Sequence, residues 1–186
     1  MSIDFIFNGG ATKRYHTWPV LHNQRIDSHS FGVAMLVARM ALSANLEDGE
    51  GLSVPLLMAA LTHDLAEQIV GDMPAPAKRN MSALLDMEYS DFRAKWGEME
   101  TQILEQNAQD WDHLISEKQR RWLKLADAME GAIFCARERA MGNGMMAPVF
   151  ANFRSYIREL LLANEEPAVM EIVNYIDDMW EQVNAN

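Results

Sequence analysis

The sequence contains a single cysteine, Cys135, so no disulfide bond can form within the chain. That cysteine lies in the apolar segment AIFCARE, which favours a buried thiol over a catalytic nucleophile. The absence of disulfides is typical of proteins in a reducing compartment, and we expect a cytoplasmic protein.

The sequence also lacks long apolar runs and an excess of basic residues. No uninterrupted apolar stretch approaches the roughly 20 residues that a membrane-spanning helix needs. The start, MSIDFIFNGGATKRYH, lacks the apolar segment of a signal peptide, so we expect neither export nor a membrane partner. The net charge of −11 argues against a nucleic-acid polymer as partner, because such partners bind to a basic face.

Alternating runs rich in valine and isoleucine, the pattern of β-strands, are absent as well. Apolar residues recur at helical spacing instead, and a chain with 49% hydrophobic residues can bury one sizeable core. The sequence therefore predicts a single all-α domain over residues 1–186, a bundle of about six helices. The predicted helices run from residue 28 to the polar segment ANLEDGEG and over residues 53–70, 80–107, 116–141, 148–162 and 167–183.

Two histidines and two aspartates form a candidate metal site. His63 and Asp64 are adjacent in the apolar run VPLLMAALTHDLAEQIV, with His29 upstream and Asp127 downstream. Imidazole nitrogen and carboxylate oxygen suit a divalent ion, and ligands from separate helices are typical of metal sites inside bundles. Asp127 lies in an apolar segment and is expected to face inward, where a carboxylate needs a cation or hydrogen-bond donors. Periodicity alone leaves open that these are core, solvated or salt-bridged side chains without a metal.

Glu67 follows His63 by one turn on the same face of the predicted helix. The four candidate ligands do not need it, so its carboxylate could take a proton from a water activated by the metal. The alternative is that Glu67 is an ordinary partner of a nearby cation.

These motifs resemble those of the HD-domain phosphohydrolases. Within that group the chain is most similar to the bacterial 5'-deoxynucleotidases of YfbR type and to the phage dATP triphosphohydrolases of DatZ type. The resemblance is carried by Arg14-Tyr15-His16-Thr17, His29-Ser30, His63-Asp64-Leu65-Ala66-Glu67, Gly71-Asp72-Met73-Pro74-Ala75-Pro76-Ala77-Lys78 and Ala126-Asp127.

The resemblance implies a role for each of these groups. The catalytic ion would be held by His29, His63, Asp64 and Asp127, and Glu67 would activate the attacking water. Zinc is the metal expected at the catalytic site. Cobalt, manganese and magnesium are the alternatives, either at that site or at a second one.

The resemblance also implies a substrate pocket. Arg14 and Lys78 would bind phosphate, and Asp72 would contact the sugar or shape its pocket. Tyr15 and Pro76 would lie against the base, and Trp18 could stack on any purine. The sequence departs from these families directly before His29, where they have a glutamate and this sequence has Ser28. The residue that supports the His29 side chain as a ligand is therefore not identified by the resemblance.

Both families break the bond between the 5' oxygen and the α-phosphorus of a deoxynucleotide. Four cations lie near the motifs, Lys13, Arg14, Lys78 and Arg79, and they favour the more highly charged triphosphates. The sequence therefore predicts a dATP or dNTP triphosphohydrolase, with dATP favoured through the resemblance alone. The alternatives are a 5'-deoxynucleotidase acting on dNMPs and a nucleotide-binding HD module without catalysis.

A homo-oligomer is also predicted. Four tryptophans lie far from the motifs and would face either partner subunits or the core: Trp96, Trp111, Trp122 and Trp180. If the chain is encoded by a phage, its compartment would be the host cytoplasm.

Overall fold

The computed structural model describes residues 2–44, 51–163 and 165–182, and these residues form helices and loops without a β-strand. The all-α prediction is confirmed, although the helices number more than about six. They are α1 (Ile3–Gly10), α2 (Ile26–Ser43), α3 (Val54–Thr62), α4 (Glu67–Val70), α5 (Ala75–Leu84), α6 (Tyr89–Asn107), α7 (Glu117–Ala140), α8 (Ala147–Leu160) and α9 (Pro167–Gln182). No helix in the described part of the chain is both long and apolar enough to cross a membrane.

The chain is organised in two compact units that interleave along the sequence. The first unit comprises Met1–Pro19, Asn23–Ser28 and Thr62–Asp110. The second comprises Val20–His22, His29–Leu61 and Trp111–Asn186. The single domain over residues 1–186 stays a prediction.

The first unit contains a small apolar core formed by α1, the first residue of α2, the turn before α4, and α6. Its buried members are Phe5, Ile26, Leu65, Ala66 and Leu104. Helix α1, which the sequence analysis did not anticipate, begins at the N-cap Ser2, whose side chain accepts a hydrogen bond from the Phe5 amide. Leu65 and Ala66, in the turn before α4, anchor that turn in this core.

The second unit is organised around α7, which packs against α8 and α9 and is buried along most of its length. Ser116 and Gln119 form a capping box at its start, and Gly142 follows its end with a φ of 99°. Gly131 permits close contact with α8, because a Cβ there would lie 2.4 Å from the Phe153 ring. Trp122 is completely buried, so this tryptophan belongs to the core.

Two predicted helices are interrupted. The helix expected over residues 53–70 begins as predicted, with Ser53 accepting a hydrogen bond from the Leu56 amide, but it ends at Thr62. His63 to Ala66 form a turn in which i to i−3 hydrogen bonds replace the helical i to i−4 pattern. Gly71, with a φ of 77°, ends the short helix that follows.

The helix expected over residues 80–107 is also divided. It splits into α5 and α6 around Asp86, which has a φ of 49°. Apolar spacing cannot reveal such a break, since the spacing resumes in register after it. The polar segment 45–50 and residue 183, where two predicted helix ends fall, lie outside the described residues.

Candidate active site

The histidine and aspartate pair of the first unit lies in the turn between α3 and α4. His63 Nε2 and Asp64 Oδ1 are 3.3 Å apart, and each side chain is 18% exposed. The prediction that both residues lie on a helix is therefore wrong. Neighbours on a helix point about 100° apart, whereas this turn brings the two donor atoms side by side. Two ligands bound tetrahedrally to one ion at about 2.0–2.1 Å are separated by roughly 3.3 Å, so the pair fits a shared divalent metal.

The second unit holds the other two candidate ligands. His29, near the start of α2, is completely buried. Its Nε2 lies 3.2 Å from Asp127 Oδ1 of α7, a spacing that also fits two ligands of one ion. Asp127 does not face inward as expected, because its side chain is 40% exposed. It therefore offers a carboxylate that a solvent-borne ion can reach.

His29 has a second carboxylate neighbour that the sequence analysis did not identify. Glu130 lies one helical turn after Asp127, and its Oε2 is 2.5 Å from His29 Nδ1. Both nitrogens of this buried ring thus face carboxylates of the same helix. A sequence signal existed, since Asp127 and Glu130 are acidic residues three positions apart within an otherwise apolar stretch of the predicted helix.

Glu67 begins α4, three residues after Asp64. Burial and the charges of Asp64 and Asp72 raise the pKa of Glu67 from 4.5 to about 10, against the opposing effect of Arg14. Its Oε2 is buried and has no hydrogen-bond partner among the described residues. A carboxyl group in so negative a pocket can ionise near neutral pH only if a cation enters, which is what a metal site supplies.

The segment of Arg14 and Tyr15 is held in the first unit by Asp72. The Tyr15 amide donates a hydrogen bond to Asp72 Oδ2 at 2.9 Å, and Tyr15 adopts a φ of 57°, which is unusual for a residue with a side chain. Arg14 lies over the Tyr15 ring at 5.5 Å and donates to Gln24 Oε1. Asp72 therefore shapes this segment through the backbone.

Lys78, on α5, faces Glu100 and Trp96 of α6. The sequence analysis did not identify Glu100, and its expectation that Trp96 lies far from the motifs is wrong. The Lys78 Nζ lies 3.8 Å from Glu100 and 5.2 Å from the centre of the Trp96 ring. Trp96 Nε1 donates to Glu100 Oε1 at 2.5 Å, which fixes that carboxylate. Burial raises the pKa of Glu100, while Lys78 and the Trp96 hydrogen bond oppose the shift. Arg79, the next residue in the sequence, is directed elsewhere, since it lies over the Tyr89 ring.

The two remaining predicted pocket residues are also in the first unit. Trp18 is partly buried and donates its amide to the Tyr15 carbonyl at 2.9 Å. Pro76 is exposed at the second position of α5, where a proline costs no helical hydrogen bond.

Comparisons with known proteins agree with this chemistry. A family model described as 5'-deoxynucleotidase YfbR-like matches residues 11–179. The 5'-deoxynucleotidase YfbR of Escherichia coli O1:K1 / APEC is 26% identical over 141 residues, which is 70% of this chain and 70% of that enzyme. The YfbR enzyme of Shigella flexneri serotype 5b (strain 8401) has the same identity and coverage.

Solved structures show the same fold. The HD phosphohydrolase DatZ of cyanophage S-2L, bound to dA and one catalytic Zn²⁺ ion, matches with a TM-score of 0.71 and 16% identity over 98% of both chains. A Pyrococcus horikoshii OT3 protein matches with a TM-score of 0.69 and 21% identity over 95% of this chain and 97% of the other. The chain therefore belongs to the YfbR-like 5'-deoxynucleotidase family, whose model covers most of its length.

Proposed function

We propose that this enzyme hydrolyses the bond between the 5' oxygen and the α-phosphorus of deoxynucleoside monophosphates, giving a deoxynucleoside and phosphate. The observation that carries the proposal is the pairing of a histidine nitrogen with an aspartate oxygen at 3.3 Å in the first unit and at 3.2 Å in the second. We propose that His63, Asp64, His29 and Asp127 together bind one divalent ion, each offering one nitrogen or oxygen ligand atom.

Zinc is the first choice for this ion, because two imidazoles and two carboxylates at these spacings suit a small ion of borderline softness. Cobalt, manganese and magnesium are the alternatives. When bound, the ion polarises the phosphate and lowers the pKa of a nearby water.

Glu67 is proposed as the general base. Its carboxylate takes the proton from the attacking water, a task that requires it to be ionised at neutral pH. The Glu67 oxygen without a hydrogen-bond partner among the described residues is available for that water. The proton later passes to the leaving 5' oxygen of the deoxynucleoside, so the charges balance.

Substrate recognition is proposed for residues of the first unit. Arg14 binds the phosphate through its guanidinium, and Lys78 adds a second positive charge. Asp72 holds the Arg14–Tyr15 segment in place, and its Oδ2 lies 4.0 Å from His16 Nδ1. Tyr15, Trp18 and Pro76 are proposed to line the side of the base, with adenine the first base to test.

The choice of monophosphate over triphosphate comes from the charges around Lys78. The sequence favoured triphosphates because four cations lie near the motifs. However, Lys78 is paired with Glu100, and Arg79 lies over Tyr89. A triphosphate would bring more negative charge against Glu100, whereas the single phosphate of a dNMP needs fewer cations. The family model and its curated relatives point the same way.

A dNTP triphosphohydrolase is the second candidate. The match to the DatZ structure, which covers almost the whole of both chains, makes this activity worth a direct test. It would release triphosphate where the first candidate releases phosphate.

The decisive experiment incubates the purified protein with each dNMP and dNTP and with zinc, cobalt, manganese or magnesium. The products are separated by ion-exchange chromatography. Phosphate from dNMPs alone supports the proposal, and triphosphate from dNTPs supports the second candidate. Nucleotide binding without any product would indicate an HD module that is not an enzyme.

A further inference from the structure

Both ring nitrogens of His29 face carboxylates of α7, but only Nδ1 makes a hydrogen bond to one of them. Nε2 lies 3.2 Å from Asp127 and Nδ1 lies 2.5 Å from Glu130. The ring is completely buried, and Glu130 is 8% exposed, so this second contact is shielded from water. A hydrogen bond of this length to a carboxylate needs a proton on Nδ1, which leaves the lone pair of a neutral ring on Nε2.

The residue directly before His29 does not orient the ring. Ser28 is exposed and directs its hydroxyl to the backbone of Arg25, accepting from the amide at 3.3 Å and donating to the carbonyl at 2.9 Å. Its hydroxyl is therefore hydrogen-bonded to the backbone just before α2. Orientation of the buried imidazole therefore comes from α7.

Gly32 makes room for Glu130. It lies three residues after His29 on α2, and a Cβ at this position would be 2.7 Å from Glu130 Cγ. Such a distance is shorter than side-chain carbons normally approach, and Glu130 Cγ is the carbon directly before the carboxylate. An alanine at position 32 would have to push Glu130 away from His29 Nδ1.

We propose that Glu130 is the positioning residue of the metal ligand His29 and that Gly32 is the residue that permits its approach. Glu130 accepts the Nδ1 proton, holds the ring with Nε2 directed at the metal position and raises the basicity of that nitrogen. This inference rests on the proposed function for the metal, but the tautomer of His29 can be tested without any metal.

The first test measures the His29 tautomer in metal-free protein by long-range ¹H–¹⁵N correlation of ring-labelled histidine. The wild type should show the proton on Nδ1. Glu130→Ala and Gly32→Ala should lose that preference, whereas the isosteric Glu130→Gln, which keeps an accepting oxygen, should retain much of it. A proton on Nε2 in the wild type, or an unchanged tautomer in Glu130→Ala, would overturn the inference.

The second test measures zinc affinity by competition with a chelator. Glu130→Ala and Gly32→Ala should weaken binding about 10- to 100-fold, with a smaller loss in Glu130→Gln. Gly97→Ala is the matched control, because a Cβ at position 97 meets no atom within 4 Å. Gly131→Ala controls for packing damage in α7, since it should lower stability through Phe153 while leaving zinc affinity within a few fold.

The two proposals fail in different ways. A wild type without phosphohydrolase activity but with the Nδ1 tautomer would refute the proposed reaction and support the role of Glu130. An active wild type whose zinc affinity is the same in Glu130→Ala and Gly32→Ala would refute the role of Glu130 alone.

Discussion

Replacing Glu67 with glutamine should change how the stability of the metal-free protein depends on pH. The pKa of Glu67 is raised by burial and by Asp64 and Asp72 to about 10, from a usual value of 4.5. Between these two values the folded state holds a proton that the unfolded state has released. Stability therefore falls as pH rises, by about 1.4 kcal/mol per pH unit for one proton.

Glutamine carries no titrating group, so Glu67→Gln should lose this slope. The free energy of unfolding is measured by urea titration at pH 6, 7 and 8 after removal of metal with EDTA. The free energy of unfolding of the variant, relative to that of the wild type, should increase by about 1.4 kcal/mol for each pH unit. Glu98→Gln, which changes an exposed carboxylate of α6, is the matched control and should follow the wild type.

Metal should remove the difference between wild type and Glu67→Gln. At an effective dielectric constant of about 20, a charge of +2 stabilises an anion about 8 Å away by about 4 kcal/mol. That energy corresponds to about 3 pKa units, enough to ionise Glu67 near neutral pH. Parallel pH profiles of wild type and Glu67→Gln without metal would refute the argument, because they would mean that Glu67 is already charged.

Three further predictions concern the ligands, the substrate and the fold. His63→Ala or Asp64→Ala should lose bound metal and product formation together, as measured by elemental analysis and by phosphate release; full activity in metal-free variants would contradict the site. Lys78→Ala should raise the KM for dNTPs more than for dNMPs if the pocket accepts triphosphates, and equal increases would favour the monophosphatase. Burial acts to raise the pKa of Glu165, but hydrogen bonds from Arg121 prevail and lower it to about 2. Its stabilisation is therefore present above pH 4.5 and is lost as the pH falls towards about 2, so Glu165→Gln should be less stable at pH 7 and should lack this acid-dependent loss in urea titrations.

Helix ends that depend on neighbouring residues could be predicted from the sequence. Ser53 and Ser116 begin their helices through hydrogen bonds to amides three residues ahead, and Pro167 begins the last helix at the predicted position. The turn at His63 could not be predicted in the same way. The apolar spacing of α3 continues through it into α4, so periodicity joins two helices that the backbone separates.

The same distinction between local and remote sequence information applies to the residues of the candidate site. The resemblance identified the residues proposed to carry the chemistry, because the HD, RYHT and GD motifs are short and local in the sequence. The residues that hold them in place are remote: Glu130 lies 101 positions from His29, and Asp72 lies 57 positions from Tyr15. A single sequence could show only that a glutamate, Glu130, lies within an apolar stretch of a predicted helix. Since an unpaired buried carboxylate is costly, that glutamate already required a partner, and the fold supplies it as a buried imidazole.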